Sequence, residues 1–204
     1  PGAVEPRQTA NRLWSAGHIV ETVTPDPLCL CRFTRHVRRL RRVPAYGPDP
    51  LGWLDAALEI FETGRFNVLF PTQEQVAVLA SAPELLAERG VATAVPPFSA
   101  LAAVQDKISA FATLSRLGMP QPPSSTHLDR WTQFPAYLKV PIGTASGGVQ
   151  GVESLDELHH ATINRQVLAQ AAVDGPLAMC QSVFGRGSMI AFHANLRIGE
   201  GANG

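Results

Sequence analysis

The sequence has 204 residues, of which 45% are hydrophobic and 17% are charged, so the chain can bury a sizeable core and is not a disordered protein. Lysine plus arginine equals aspartate plus glutamate at 17 each, and this balance argues against nucleic acid or an anionic membrane as the main partner. Three cysteines, no signal-peptide pattern and no apolar run of membrane-spanning length predict a reducing, cytoplasmic setting.

The first half of the chain alternates helix and strand patterns. The predicted helices cover residues 6–16, 51–61 and 84–89, and the predicted strands cover residues 18–24, 66–70 and 91–95. This alternation is typical of a mostly parallel sheet with helices on both faces. Ligands bind such sheets at the carboxyl ends of the strands, where Thr72, Gln73 and Glu74 follow a strand pattern. Thr72 could instead serve as the N-cap of a helix that ends at Leu79.

Six arginines and one histidine lie between Arg32 and Arg42. They suit either a phosphate or nucleic-acid patch or the solvated face of a helix, and the zero net charge favours the solvated helix. Both ends of the chain suggest a fragment, because an α/β domain normally opens on a strand. Here the first pattern is a helix, and the last residues have the composition of a loop.

The second half begins with two predicted helices, over residues 99–104 and 107–117. Asp106 is the expected N-cap of the second helix. Lys107 has the unfavourable sign for a helix N-terminus, which suggests a function, although a surface lysine is the ordinary alternative.

Residues 135–152 predict a strand, a small loop and a second strand. The loop, Gly143–Gly148, combines backbone N–H groups that can approach an anion with the hydroxyls of Thr144 and Ser146. Lys139 on the first strand adds a positive charge. The stretch could therefore hold a polyphosphate, or it could be an ordinary flexible hairpin. A strand over residues 166–170 follows, and then a hairpin over residues 178–196 that turns at Gly185–Gly187 and precedes Arg197.

This order of elements resembles the ATP-grasp superfamily, specifically the ligases that are similar to the carbamoyl-phosphate synthase large chain. The residues that carry the likeness are Gln105–Lys107, Leu117–Pro120, Lys139 with Pro141–Val149, and Leu168–Gln170 with Gly175. The earlier half resembles the Rossmann-like domain that precedes ATP-grasp in that family, over residues 7–20, 68–72 and 91–97.

The resemblance implies an α/β fold with two domains. Residues 1–97 would form a Rossmann-like, parallel-sheet domain. Residues 98–204 would form an α+β ATP-grasp domain that is incomplete at its C-terminus. Within it, residues 121–170 would be the lid and residues 171–204 the start of the C-terminal subdomain.

The family uses ATP and Mg²⁺ to phosphorylate a small carboxylate, and an amine or other nucleophile then attacks the acyl phosphate. By resemblance, the ATP-binding residues are Lys107, Lys139, Gly143, Thr144, Ala145, Ser146, Gly147, Gly148, Gln170, Ala171, Ala172 and Val173. The weaker correspondences are Glu200 for substrate binding and Arg197 for catalysis, and Thr72 and Glu74 are added as substrate-binding candidates from their place at the end of a strand. We expect the loop that begins at Gly143 to be mobile when no nucleotide is bound.

The sequence departs from the family at three places. Ala171 stands where a glutamate is usual, no acidic residue lies around Leu177, and the Mg²⁺-binding residues would lie beyond Gly204. These departures keep open a second interpretation, a non-catalytic nucleotide- or metabolite-binding module with an ATP-grasp shape. A dinucleotide-binding oxidoreductase is disfavoured, because no Gly-x-Gly-x-x-Gly opens a helix after a strand.

Overall fold

A computed structural model of the chain describes residues 4–143, 147–162 and 165–199. The chain divides into two compact units, Pro1–Gln105 and Asp106–Gly204. Within the described residues, no helix is long and apolar enough to cross a membrane.

The first unit combines helices with a small parallel sheet. Its elements are α1 (Val4–Ser15), β1 (Glu21–Thr24), a 3₁₀ helix (Leu30–Phe33), β2 (Arg39–Arg42), α2 (Pro50–Gly64), α3 (Gln75–Ala80), α4 (Pro83–Glu88) and α5 (Phe98–Gln105). Strand β1 pairs in parallel with β2, and Glu21 lies opposite Arg39. Helix α5 packs with α3 and so falls in the first unit, whereas the sequence prediction began the second domain at residue 98. The assignment of the two functional domains stays a prediction.

Helix α2 provides most of the core of this unit. Its buried residues recur at helical spacing and form one stripe, Trp53, Leu54, Ala57, Leu58 and Phe61. The helix begins where the Asp49 side chain accepts a hydrogen bond from the Gly52 N–H (2.9 Å) and Pro50 occupies the first turn. It extends beyond the expected end at Phe61, since Gly64 is its last residue and Arg65 takes the left-handed conformation (φ 53°).

The arginine-rich segment was wrongly predicted as a helix. It forms the 3₁₀ helix and β2, and two of its arginines form ion pairs with Glu21 on the neighbouring strand. The distances are 2.5 Å from Arg38 and 2.7 Å from Arg41. The extended conformation is stabilised by pairing with β1 and by the buried carboxylate of Glu21. These contacts come from residues distant in the sequence, so a local helical pattern does not reveal them.

The predicted strands over residues 66–70 and 91–95 are reduced to one isolated parallel bridge, in which Leu69 N–H donates to Ala92 O (2.9 Å). The predicted capping role of Thr72 is also wrong. Glu74 occupies the N-cap of α3, and its side chain makes no capping hydrogen bond. A strand needs neighbours along its whole length, and segment 66–70 has one neighbour at one residue.

The second unit is built on an antiparallel sheet. Its elements are α6 (Lys107–Arg116), β3 (Ser124–Ser125), a 3₁₀ helix (Leu128–Arg130), β4 (Ala136–Lys139), β5 (Val149–Val152), α7 (Leu155–Ala161), β6 (Leu168–Ala171), β7 (Ala178–Gly185) and β8 (Ser188–Leu196). The four-stranded sheet has the order β3-β6-β4-β5, and β7 and β8 form a separate hairpin. Both predicted hairpins, over residues 135–152 and 178–196, are therefore confirmed.

One face of the four-stranded sheet packs into the core of this unit. Ala136 and Leu138 on β4 are buried against Val152 and Leu158, while Tyr137 between them is exposed. Because side chains alternate along a strand, Lys139 lies on the same face as Tyr137, away from the core. The sheet therefore presents its lysine on the face opposite the apolar cluster.

Candidate functional site

The start of helix α6 is fastened to the loop after β4. The Asp106 side chain accepts hydrogen bonds from the N–H groups of Ile108 and Ser109, both at 2.8 Å, which confirms the predicted N-cap. The Lys107 N–H donates to Pro141 O (2.9 Å), and Lys107 Nζ donates to Gly143 O (3.2 Å). The backbone and the side chain of Lys107 therefore both contact the segment that leads into the glycine-rich loop.

A series of hydrogen bonds between uncharged groups holds the Lys139 side chain. Its Nζ donates to Gln170 Oε1 (2.5 Å), Gln170 Nε2 donates to Ser124 Oγ (3.0 Å), and Ser124 Oγ donates to Pro122 O (2.9 Å). The sheet register explains this contact. Gln170 lies opposite Tyr137 on β4 and opposite Ser124 on β3, so Lys139 is its diagonal neighbour on the same face.

Lys107 and Lys139 are the only lysines in the 204-residue sequence, and the fold brings them into electrostatic contact. Burial lowers the pKa of Lys139, and the positive charge of Lys107 lowers it further. None of the ion pairs among the described residues involves either lysine. The site therefore carries two neighbouring positive charges without a carboxylate partner among those residues, an arrangement that suits a ligand with several negative charges.

The loop between β4 and β5 requires glycine at two described positions. Its base is closed where Val140 N–H donates to Gly148 O (2.9 Å). A Cβ on Gly143 would collide with the carbonyl oxygen of Gly147, and a Cβ on Gly148 would collide with Val140 Cγ2. Gly148 also has a positive φ of 77°. Thr144, Ala145 and Ser146 lie outside the described residues, so the expected phosphate contacts and mobility of this loop stay predictions.

The segment predicted to bind adenine is partly engaged with its neighbours. The Ala171 N–H donates to Pro123 O (2.9 Å), and the Ala172 N–H donates to Pro135 O (3.0 Å). The Val173 side chain is 68% exposed. Within this segment, Gln170 is the residue that contacts Lys139, and it does so through its side-chain amide.

The weaker predicted residues make other contacts within their own units. Thr72 and Glu74 belong to the first unit, where Glu74 Oε2 accepts a hydrogen bond from the Tyr46 hydroxyl (3.1 Å). In the second unit, the Arg197 N–H donates to Leu177 O (2.8 Å) and its Nε donates to Gly199 O (3.2 Å). Glu200 lies outside the described residues.

Two groups that contact Lys107 or Gln170 were not predicted from the sequence: the side chain of Ser124 and the backbone carbonyl of Pro141. Ser124 shows no local signal, because its strand β3 has two residues and its role depends on pairing with β6. The Pro141 carbonyl could have been suspected only from its place between Lys139 and the loop. Both belong to the site through contacts between residues distant in sequence.

The resemblance implies Mg²⁺, whose usual protein ligands are carboxylate oxygens. No group of three or more His, Cys, Asp or Glu side chains among the described residues could hold a metal ion. None of these residues is therefore assigned a metal-binding role.

No protein-family model and no curated protein sequence matches this chain. Solved structures match its fold. N5-carboxyaminoimidazole ribonucleotide synthetase from Thermus thermophilus has a TM-score of 0.65 and 23% identity, and the match covers 94% of this chain and 51% of that one. L-amino acid ligase from Bacillus licheniformis has a TM-score of 0.62 and 20% identity, with coverage of 84% and 43%.

A third match is the biotin carboxylase domain of 2-oxoglutarate carboxylase from Hydrogenobacter thermophilus, solved in complex with MgADP, ADP and bicarbonate. Its TM-score is 0.63 at 13% identity, with coverage of 88% of this chain and 44% of that one. The chain thus spans about half the length of the structures it matches. All three have the ATP-grasp fold, and the chain shares that fold, as predicted. The more specific likeness to the carbamoyl-phosphate synthase large chain stays a prediction.

Proposed function

We propose that this chain binds ATP by its phosphates and is the nucleotide-binding part of an ATP-grasp ligase. The observation that carries the proposal is the convergence of Lys107 and Lys139 beside the loop that begins at Gly143. Each of these three groups was predicted from a local sequence pattern. The proximity of the two lysines and the loop supports a ligand that contacts all three.

Charge favours a polyphosphate as that ligand. The positive charge of Lys107 lowers the stability of the charged form of Lys139, and a bound polyanion relieves this repulsion. Gln170 holds Lys139 through a neutral oxygen, so the full positive charge remains available to an anion. A carboxylate at the same place would cancel much of it.

The chemistry of the proposed ligase follows from the phosphoryl group. The carboxylate oxygen of the substrate attacks the γ-phosphorus of ATP, the bond to the β-phosphate oxygen breaks, and ADP leaves. An amine or other nucleophile then attacks the acyl carbon and releases inorganic phosphate. The two lysines would stabilise negative charge on the transferring group. Thr72, Glu74, Glu200 and Arg197 remain proposed substrate residues, and ATP with Mg²⁺ and a small carboxylate are the proposed ligands of a cytoplasmic enzyme.

Binding of ATP to the Lys139→Ala variant tests the proposal. We expect affinity to fall by roughly 10- to 100-fold, because a hydrogen bond to a charged group contributes about 1.5–3 kcal/mol. Arg116→Ala is the matched control, since it removes one positive charge from the exposed end of α6. Isothermal titration calorimetry measures both variants. Equal affinity of Lys139→Ala and the unmodified chain would exclude this site.

A second candidate is a nucleotide- or metabolite-binding module without catalysis. One observation favours it: Ala171 stands where the family usually has a glutamate. An assay of ADP release with Mg²⁺, ATP and a panel of amino acids and small carboxylates separates the two candidates. The ligase, tested in a chain that includes the full ATP-grasp domain, releases ADP with a particular substrate. The module binds nucleotide and releases none.

A further inference from the structure

Lys139 has surroundings that favour reaction as well as charge. It is partly buried on the face of the sheet that lies away from the core, and no ion pair among the described residues includes it. Burial and the charge of Lys107 both disfavour the ammonium form and so lower the pKa of Lys139. A larger share of this lysine is therefore neutral amine at a given pH, and the neutral amine is a nucleophile.

The hydrogen bond to Gln170 leaves the nitrogen of Lys139 able to react. A neutral amine has two N–H groups and one lone pair. One N–H is used in the bond to Gln170 Oε1, so the lone pair is directed away from that amide. Ser124 Oγ accepts from Gln170 Nε2 and keeps the amide oxygen toward the lysine. A carboxylate in place of this amide would instead stabilise the unreactive ammonium form.

The groups around Lys139 on the sheet are neutral and leave room for a small reagent. The residue opposite Lys139 is Val149 on β5 and Leu168 on β6. Along β4, the next residue on the same face is Tyr137, which is 46% exposed, and Val149 is 36% exposed. Among the described residues, Lys107 is therefore the charged group that acts on Lys139.

The same contacts suit a lysine that carries an acyl group. The nitrogen of an acylated lysine keeps one N–H, and this N–H can still donate to Gln170 Oε1. Acylation also removes the charge of Lys139 and with it the repulsion by Lys107. The folded chain therefore accommodates the product without the loss of the hydrogen bond that holds this side chain.

Lys107 favours a reagent that carries a phosphate. Its N–H donates to Pro141 O and its Nζ donates to Gly143 O, so the ammonium group is held at the start of the glycine-rich loop. An ammonium group has three donors, and two of them remain for an anion. A phosphate bound there is close to Lys139, because the charge of Lys107 acts on Lys139. Acyl phosphates combine such a phosphate with an activated acyl carbon.

We propose that Lys139 is a modification site at which acyl phosphates acylate Nζ. The lone pair of the neutral amine attacks the acyl carbon, a C–N bond forms, and the bond from that carbon to the phosphate oxygen breaks. Inorganic phosphate leaves with the electron pair, and the nitrogen releases one proton to solvent. The physiological source of the reagent rests on the proposed function, since the proposed ligase forms an acyl phosphate at this site. Acylation would then remove a charge that ATP binding requires.

The test treats the full 204-residue chain with acetyl phosphate at mildly alkaline pH. Fragment mass spectrometry locates the acetyl groups, and the two lysines of the sequence are followed separately. We expect Lys139 to react several-fold faster than Lys107 in the folded chain. In urea the surroundings of both lysines are lost, so their rates should become equal. Equal rates in the folded chain would overturn the proposal.

Matched variants and a second reagent test the two parts of the argument. Lys107→Arg keeps a positive charge beside Lys139 and should keep the fast reaction, whereas Lys139→Arg should abolish it. The uncharged ester p-nitrophenyl acetate transfers the same acetyl group without a phosphate. We expect the preference for Lys139 over Lys107 to be larger with acetyl phosphate. An equal preference with both reagents would overturn the assignment of acyl phosphates as the reagent.

ATP distinguishes this proposal from the proposed function. If both hold, saturating ATP slows acetylation of Lys139, and prior acetylation weakens ATP binding in calorimetry. Fast acetylation of Lys139 that ATP does not slow would support the modification site and overturn nucleotide binding there. ATP binding that is lost in Lys139→Ala, together with slow acetylation of Lys139, would overturn the modification site alone.

Discussion

Lys139 Nζ donates to Gln170 Oε1 across adjacent antiparallel strands, over a distance of 2.5 Å. The direction of the amide is set by Ser124. Its single hydroxyl hydrogen is donated to Pro122 O, so its oxygen is left to accept from Gln170 Nε2, and the amide oxygen must face the lysine. Lys139 is thus oriented by a group that leaves its charge intact.

Replacement of Gln170 by glutamate should weaken ATP binding while it strengthens the contact to Lys139. The carboxylate neutralises the lysine and raises its pKa, so we expect a loss of affinity of about tenfold. The milder Ser124→Ala removes the oxygen that accepts from Gln170 Nε2, so the amide is held less firmly and ATP affinity should fall several-fold. Calorimetric titration with ATP measures all three proteins. Tighter or unchanged binding by Gln170→Glu would contradict the role assigned to the neutral amide.

ATP binding should also weaken as the pH rises. Lys139 must be protonated to attract phosphate, and its pKa is lowered by burial and by Lys107, so affinity declines as the pH rises through a pKa below the ordinary lysine range. Lys107→Met removes the like charge and should shift the titration of Lys139 to higher pH.

This shift is unusually easy to observe. With only two lysines in the sequence, a protein with isotope-labelled lysine gives two side-chain signals in an NMR spectrum, and Lys107→Met leaves one. The remaining signal is followed as the pH is raised. A Lys139 titration that stays in place in Lys107→Met would show that the two charges do not interact.

Alanine at Gly148 should destabilise the second unit. Gly148 has a φ of 77°, and an added Cβ would collide with Val140 Cγ2, so we expect a loss of about 1–3 kcal/mol in the free energy of unfolding. Gly151→Ala on the adjacent strand is the control, since its Cβ would lie 3.8 Å from Tyr137 Cε1, an ordinary contact. Urea denaturation compares the two variants. A similar loss in both would mean that the left-handed turn is not the cause.

Glu21→Gln should destabilise the first unit at neutral pH. The Glu21 side chain is only 4% exposed; burial by itself raises its pKa, but the hydrogen bonds and charges of Arg41 and Arg38 outweigh this and lower it. A lowered carboxyl pKa stabilises the folded state above the unfolded pKa, and this contribution is lost as the pH falls through the folded pKa. We expect a loss of about 1–3 kcal/mol at neutral pH that shrinks in acid.

The exposed pair of Glu62 and Arg89, also at 2.7 Å, provides the comparison. Both of its side chains are at least 40% exposed, so Glu62→Gln should cost less than about 1 kcal/mol. Urea denaturation from acidic to neutral pH gives the free energy of unfolding for each variant. Equal losses for the two substitutions would show that burial of Glu21 contributes nothing.

The features that the sequence predicted correctly depend on residues close together in the chain. Asp106 accepts from amides two and three residues later, and the hairpin β7–β8 turns at Gly185–Gly187. The features that were wrongly predicted depend on distant partners. Arg38 and Arg41 belong to a strand region because Glu21 and β1 lie beside them, and segment 66–70 does not become a full strand, because it bonds to one neighbour at Leu69.

For the candidate site, the chemistry could be read from the chain alone: a lysine at a capped helix start, a lysine on a strand, and a glycine-rich turn between strands. The fold was needed to show that the charge of Lys107 acts on Lys139 and that Gln170 and Ser124 orient Lys139. The physical reason is that capping and turns are set by local hydrogen bonds, whereas strand register and the approach of charges are set by which segments pack together.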